Sequence, residues 1–317
     1  MIRKVLAISA ATVLVAGCTS ADDNSTPTGP IAVTATTNVW GSIAEFIGGD
    51  MVEVTSIVDQ PTIDPHSYEP SARDLLAVQD AEMVLVNGGG YDAFMESLIE
   101  QAEGTRVVLR AVAGENSHDH SDEDHEDEEE HSHAEGNEHV WYDFHVVEEV
   151  ADQVLASLTQ LRPDSAGDFQ ANHQTFVDEL EVLEVRLEAL REKALGYGVF
   201  SITPLASIML EDAGFDEMAP EDLLEAVEEE RDISPASIAE AEAIFEDPDL
   251  LMVITNDQVT DTQMQSIADM AASKGLPVIG LAELIPNEDW DYLDWMANNL
   301  DVLMATVDQQ LPEQIEN

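Results

Sequence analysis

Histidine and carboxylate side chains occur in three short stretches that could bind a metal ion. The stretches, each followed by its potential ligand, are 64–71 (His66), 137–143 (His139) and 280–286 (Glu283). The stretch around His66 follows a β-like run and precedes a helix-like one, and α/β folds place ligands in loops at strand ends. Imidazole nitrogen and carboxylate oxygen together suit zinc, and also manganese or iron. A single histidine in a loop is more often a plain surface residue than a metal ligand. The motifs around each histidine therefore have to distinguish these two roles.

A second concentration of histidine lies in the acidic segment 114–138. The segment is of low complexity and has no hydrophobic periodicity, which predicts a mobile surface loop. Neutral imidazoles at short spacing among carboxylates hold zinc loosely; the alternative is a solvated linker whose histidine content is accidental. Five of the nine histidines of the chain fall within it: His118, His120, His125, His131 and His133.

The charge of the chain excludes one class of partner. The formal net charge is −56, and only eleven of the 67 acidic residues lie in 117–138, so the acidity extends over the whole chain. Nucleic acid is therefore excluded as a partner, because phosphate binding needs a basic face. A hydrophobic content of 44% predicts a folded chain.

The N-terminus has the pattern of an export signal. Two basic residues precede an apolar run over 5–15, and small residues then lead to Cys18, the sole cysteine. The pattern predicts a lipoprotein signal peptide over 1–17, lipidation at Cys18 and a flexible tether over 18–30. The protein would then be exported and anchored to the outer face of the cell membrane. The alternative is a plain signal peptide with an incidental cysteine. Either way, a cysteine-based metal site is excluded.

Alternating strand and helix signals predict an α/β fold with parallel sheets. The predicted strands are 31–37, 52–58, 83–86 and 106–109, followed by 199–202, 250–255 and 277–281. The predicted helices are 39–47, 71–79, 146–161, 203–213, 234–245 and 262–274, with N-caps expected at Ser71 and Ser234.

One long helical stretch, 163–195, separates the two halves of this pattern. Its apolar residues recur at spacings of four and three, with His173 on the same seam. A short coiled coil would share this spacing, but a single helix packed along both halves is the preferred interpretation. The sequence thus predicts two parallel-sheet α/β lobes, 31–161 and 196–317, joined by one linking helix over 162–195.

Taken together, the motifs resemble the zinc- and manganese-binding family of substrate-binding lipoproteins that serve ABC importers. The resemblance extends from about residue 31 to 311 and includes the long linking helix. The blocks that carry it are Asp-Pro-His-x-Tyr-Glu-Pro-Ser at 64–71, His-Val-Trp-Tyr-Asp at 139–143, Asn-Asp-Gln at 256–258, Gly-Leu-Pro-Val around Pro277 and Tyr-Leu-Asp-Trp-Met at 292–296.

The resemblance implies a metal site in the cleft between the lobes, with His66, His139 and Glu283 as ligands. It also implies an ABC transporter permease as partner and no enzymatic activity. The remaining family ligand falls at Thr203, where a neutral hydroxyl is a poor zinc ligand. Three protein ligands plus water would then hold the ion, or His145 would complete the set; His173 is less favoured.

Several alternatives stay open at this point. Manganese is the second choice of metal, and zinc becomes less favoured if a second carboxylate, such as Asp257, joins Glu283. Some relatives are described as adhesins, so a metal-dependent surface adhesin or a metal-buffering lipoprotein is a second class. A zinc hydrolase with a His/His/Glu site is a third, although the chain has no His-Glu-x-x-His motif.

Metal binding by the acidic histidine-rich segment can be tested separately from metal binding at the predicted cleft site. We hypothesise that the segment raises the local zinc concentration or senses supply, and is not the transport site. Deleting residues 117–135 should therefore leave the tightest zinc site intact in a chelator-competition titration, and remove only weaker equivalents. Loss of the tightest site with the segment would contradict the hypothesis.

Overall fold

Two four-stranded parallel sheets form the framework of the molecule. The computed structural model describes residues 29–112, 137–229, 231–258 and 261–311. Cys18, the predicted signal peptide and the five histidines of the acidic segment lie outside these ranges. Among the described residues, no helix is both long and apolar enough to span a membrane.

The N-terminal lobe is built on a sheet of strand order β2-β1-β3-β4. Its strands are β1 Ile31–Thr37, β2 Val52–Val58, β3 Met83–Val86 and β4 Val107–Arg110. Its helices are α1 Asn38–Gly48, α2 Ala72–Asp80, α3 Ala93–Gln101 and α4 Phe144–Leu161.

Helices cover both faces of this sheet, which explains the uninterrupted apolar run of its inner strand β3. Met83 and Leu85 of β3 pack into the core shared with α1 and α4. Val84 and Val86 of the same strand face the opposite core, under α2 and α3. Every residue of β3 is buried, so a short apolar run is a reliable strand signal in this sheet.

The linking helix α5, Ala166–Ala194, packs against both lobes. A short 3₁₀ turn, Pro163–Ser165, precedes it, so the α-helix begins three residues later than predicted. Phe176 shows how it joins the lobes: its ring centroid lies 5.4 Å from that of Phe46 on α1 and 6.3 Å from that of Tyr292 in the C-terminal lobe. One hydrophobic core therefore continues from the first sheet across α5 to the second.

The C-terminal lobe repeats the architecture with strand order β6-β5-β7-β8. Its strands are β5 Gly198–Ser201, β6 Asp216–Glu217, β7 Leu250–Asn256 and β8 Val278–Leu281. Its helices are α6 Ser207–Asp212, α7 Glu221–Glu228, α8 Pro235–Ile244, α9 Thr262–Ser273 and α10 Tyr292–Gln310.

The predicted fold class is confirmed, with differences in detail. The strands fall within one or two residues of their predicted bounds, and Ser71 and Ser234 cap α2 and α8 through their hydroxyls. The predicted helix 203–213 is divided into a 3₁₀ turn, Pro204–Ala206, and the shorter α6. The elements that were not predicted are α3, β6, α7 and α10.

Phe176 provides a test of the shared core. Phe176→Ala should lower the free energy of unfolding by about 3–5 kcal/mol, because its fully buried ring fills space between α1, α5 and α10. Val185→Ala on the same helix, where the side chain is 70% exposed, should change it by less than about 0.5 kcal/mol. Urea unfolding followed by tryptophan fluorescence measures both; equal small losses would contradict a core continuous through α5.

Candidate metal centre

His66 lies in the loop between β2 and α2, at the carboxyl end of the first sheet. Asp64 shapes this loop: its Oδ1 accepts the backbone N–H of His66 at 2.9 Å, and its Oδ2 accepts the Ser67 hydroxyl at 3.0 Å. Ser71 and Asp74 form a capping box where α2 begins. The motif around His66 therefore fixes the loop at both ends.

His139 precedes the 3₁₀ turn Val140–Tyr142 that leads into α4. Asn137 Oδ1 accepts hydrogen bonds from the His139 backbone N–H at 2.9 Å and from its Nδ1 at 2.8 Å. The Asn137 amide nitrogen donates to the carbonyl of Pro204 at 3.0 Å, which identifies Oδ1 as the acceptor. His139 therefore carries a proton on Nδ1, and its Nε2 faces Glu283 across the cleft.

Glu283 follows β8 in the opposite lobe and is only 2% exposed. Gln258 positions it by accepting the backbone N–H groups of Glu283 and Leu284 at 2.9 and 2.8 Å. Asn256 Nδ2 donates to Glu283 Oε2 at 3.3 Å. The other oxygen, Oε1, is thereby aimed at the N-terminal lobe.

These three side chains converge across the cleft between the lobes. Glu283 Oε1 lies 3.0 Å from His66 Nε2 and 3.6 Å from His139 Nε2. One ligand atom of each residue lies within 4.8 Å of the others, and among the described residues no other group of three such side chains converges in this way. Two imidazoles and a carboxylate at this separation match the donor set that zinc and manganese accept.

The cavity around the cluster is small. It has a volume of about 80 Å³, which suits a metal ion with few water molecules and is below the several hundred Å³ of sites for organic ligands. A larger open groove of about 900 Å³ lies beside α1 and the segment after β8, but it does not contain the cluster. The cavity is lined by His66, His139, Glu283, Asp64, Thr203, Pro204, Leu205, Val227, Glu228, Asn256 and Met264.

The electrostatics of the cluster couple the two lobes. Burial alone would lower the pKa of His66, but hydrogen bonds and charge interactions with Glu138 and Glu283 outweigh it and raise that pKa to about 10. Burial alone would raise the pKa of Glu283, but hydrogen bonds and charge interactions with His139 and His66 lower it to about 2. Glu283 is therefore ionised across the physiological pH range.

The structure locates the other residues singled out in the sequence. Thr203 lines the cavity, and its hydroxyl is buried without a hydrogen-bond partner among the described residues. His145 is exposed on α4 beside Glu184, so the structure does not bring it into the cavity. His173 is buried on α5, with Nε2 2.8 Å from Asp152 Oδ1, and is likewise not part of the cavity wall. Asp257 is exposed and does not line the cavity.

Sequence reasoning missed two carboxylates near the cluster. Glu138 Oε1 lies 3.1 Å from His66 Nδ1, and Glu228 at the end of α7 lines the cavity. Glu138 directly precedes His139, so its position in the motif was a usable signal. Glu228 belongs to an acidic run in a helix that was not predicted, and no motif marks it.

The fold and the cluster define a two-lobed α/β protein with a candidate metal site between its lobes. A profile of the family described as zinc-uptake complex component A periplasmic matches residues 33–306. The chain belongs to this family, whose members are transport components and not enzymes. The zinc hydrolase that the sequence left open is therefore not supported.

Some relatives are named for zinc binding and others for manganese binding. The chain is 27% identical over 173 residues to the manganese-binding lipoprotein MntA of Halalkalibacterium halodurans, covering 54% of this chain and 53% of the relative. It is 22% identical over 286 residues to the zinc-binding lipoprotein AdcA of Streptococcus pneumoniae, covering 84% of this chain and 54% of the relative. The chain thus spans about half the length of the curated relatives it matches.

The fold likeness to solved structures extends over most of the chain. The periplasmic zinc-binding protein TroA of Treponema pallidum superposes with a TM-score of 0.70. The two share 18% sequence identity, and the superposition covers 88% of this chain and 99% of that one. At this identity the likeness establishes the fold.

The raised pKa of His66 is directly testable. In chelator-treated protein, NMR titration should show the His66 imidazole titrating near pH 10 in place of 6.5, and Glu138→Gln should lower this pKa by removing one carboxylate partner. Glu149→Gln, at an exposed position of α4, is the control and should leave it unchanged.

The sign of the linked stability change follows from the same shift. Because the folded-state pKa is raised, the contribution of His66 to the metal-free fold is complete below pH 6.5 and is lost as the pH rises through about 10. Titration of His66 near pH 6.5 in both the unsubstituted protein and Glu138→Gln would contradict this account.

Proposed function

We propose that this chain captures a divalent transition metal ion, zinc, and delivers it to an ABC importer. The observation that carries the proposal is the convergence of His66, His139 and Glu283 from two lobes on one small cavity. In this proposal the two Nε2 atoms and Oε1 bind the ion directly. Manganese is the alternative cargo, since relatives of both kinds are similar to the chain.

Two features favour zinc. Two of the three proposed ligands are imidazoles, which suit zinc, whereas manganese prefers a coordination sphere dominated by oxygen. The acidic segment with five histidines, if it collects metal, also favours an imidazole-binding ion. A small cavity is compatible with a four-coordinate ion that retains little water.

Metal binding in this proposal exchanges a proton for the ion. His66 has to release the proton on Nε2 that its raised pKa retains, after which this nitrogen and Glu283 Oε1 both turn to the metal. Glu138 keeps its contact with Nδ1–H of His66, as carboxylates behind metal-bound histidines commonly do. On the other imidazole, Asn137 has the same role for His139.

The place of action is part of the proposal. The N-terminal pattern, and the relatives named as lipoproteins, support export and anchoring to the outer face of the cell membrane through an acylated Cys18. The permease of the importer would receive the ion from the cleft. The family to which the chain belongs supports this partner.

Substitution of both histidines tests the site. His66→Ala with His139→Ala should lower the affinity of the tightest zinc equivalent by more than about 100-fold, beyond the 10–100-fold effect typical of residues behind the ligands. His145→Ala, an exposed histidine on α4, is the matched control and should bind as the unsubstituted protein does. Metal content after equilibration with a zinc chelator measures both.

Tight binding of one equivalent by the double variant from which residues 117–135 are also deleted would contradict the assignment of the site. Repeating the titration with manganese decides the cargo. A tighter manganese complex would replace zinc as the cargo and leave the ligands as proposed.

A further inference from the structure

Three protein ligands leave at least one coordination position of a zinc or manganese ion without a protein donor. The side chain of Thr203 forms part of the cavity wall in the C-terminal lobe. Thr203 is only 7% exposed, and its hydroxyl has no hydrogen-bond partner within the described residues. A buried hydroxyl without a hydrogen-bond partner is unfavourable, so a group that accepts a hydrogen bond from it is expected in the functional state.

Glu228 is the carboxylate best placed to be that group. It is the last residue of α7 and lines the same cavity wall as Thr203. Of the other carboxylates in the wall, Asp64 is committed to its own loop and Glu283 to the histidines. Glu228 is exposed and has no hydrogen bond or ion pair within the described part of the chain. Partial burial and the charges of Glu138 and Glu229 raise its pKa, whereas the charges of His139 and His66 act to lower it.

We propose that Glu228 is the remaining metal ligand and that Thr203 positions it, its hydroxyl donating a hydrogen bond to the bound carboxylate. The inference rests on the proposed function of the cleft. Glu228 is not among the side chains whose ligand atoms already converge, so it reaches the ion by rotation of its own side chain at the end of α7. The flexible torsions of a glutamate at a helix terminus allow this movement without displacing a lobe.

Charge balance supports this assignment. A divalent ion held by Glu283 and two neutral imidazoles retains one positive charge on the ion and its direct ligands, in a cavity whose walls include Leu205, Val227 and Met264. Glu138 offsets this charge only from behind His66, where it contacts Nδ1. A second carboxylate bound directly to the ion makes the coordination sphere itself neutral, which suits an apolar surrounding. The neutral hydroxyl of Thr203 cannot supply that negative charge. It is therefore better suited to hold the carboxylate ligand in place than to bind the ion itself.

The assignment also bears on metal choice, because a second carboxylate makes the preference for zinc over manganese smaller than in a site with three protein ligands. Two carboxylates and two imidazoles offer oxygen and nitrogen equally, a set that accepts zinc in four-coordinate form and manganese with added oxygen ligands. Manganese depends more on oxygen donors than zinc does. Removing the Glu228 carboxylate should therefore weaken manganese binding more than zinc binding.

Glu228→Gln, Thr203→Ala and a control variant test the inference. In chelator competition, Glu228→Gln should lower zinc affinity about 100-fold or more and manganese affinity further. Thr203→Ala should lower zinc affinity about 10-fold, as expected for a residue behind a ligand. Glu225→Gln removes the same charge one turn earlier on α7, where the side chain is exposed, and should have no effect.

The visible spectrum of the Co²⁺-loaded protein supplies a second readout, because its intensity reports coordination number and ligand type. Glu228→Gln should change this spectrum, and Glu225→Gln should not. Unchanged affinity and spectrum in Glu228→Gln would overturn the inference, and a larger loss in Thr203→Ala than in Glu228→Gln would overturn it in favour of Thr203 as ligand. The proposed function fails separately, if the double histidine variant keeps its tight site.

Discussion

The buried carboxylate of Glu283 is the constraint on which the arrangement of the cleft depends. An ionised carboxylate that is only 2% exposed is unfavourable unless hydrogen bonds and opposite charges compensate it. Its own lobe supplies part of the compensation, through Asn256 on one oxygen. The rest comes from His66 and His139 of the other lobe. The carboxylate therefore holds the two edges of the cleft together, and in the proposed site a divalent ion takes over the role of the proton on His66.

The connection between the lobes limits how that exchange proceeds. Beyond the core shared through α5, polar contacts tie the lobes directly: Tyr142 donates its hydroxyl to the Ala282 carbonyl at 2.7 Å, and the Asn38 side chain exchanges two hydrogen bonds with the backbone of Ile285. These ties lie next to Glu283 in the chain. A wide hinge opening would break all of them at once, so rearrangement on metal binding has to be local. Rotation of a single side chain from α7 meets this restriction.

Hydrophobic patterns and recognisable motifs explain which parts of this structure could be predicted from the sequence. Strands such as β3 were predictable because both faces of a parallel sheet are buried, and a short uninterrupted apolar run is typical of such a strand. The convergence of His66 and Glu283 was predictable because both residues occupy strand-exit positions within recognisable motifs. The two-residue strand β6 has too few residues for any periodicity, and its location depends on pairing with β5.

Contacts between distant segments were beyond sequence reasoning for a different reason. Glu228 is one of 67 acidic residues, and only the folded chain distinguishes a carboxylate at the cavity from one in solvent. The same applies to Thr203: its position in the motif was predictable, but the absence of a hydrogen-bond partner for its hydroxyl among the described residues was not. Roles that depend on which side chains meet across the cleft require the structure.

Because the whole chain is acidic, its surface charge cannot select one metal ion over another. In the proposed function, that selectivity has to come from the cleft. A formal charge of −56 attracts every cation, so it raises the local concentration of sodium, magnesium and zinc alike without choosing among them. Exposed carboxylates in water discriminate little between divalent ions. Discrimination requires imidazole donors held in a confined cavity, where hard ions such as magnesium would have to give up water for nitrogen. In the proposed site, His66 and His139 would supply that condition in a cavity of about 80 Å³, so two isolated histidines would matter more to selectivity than the acidic surface around them.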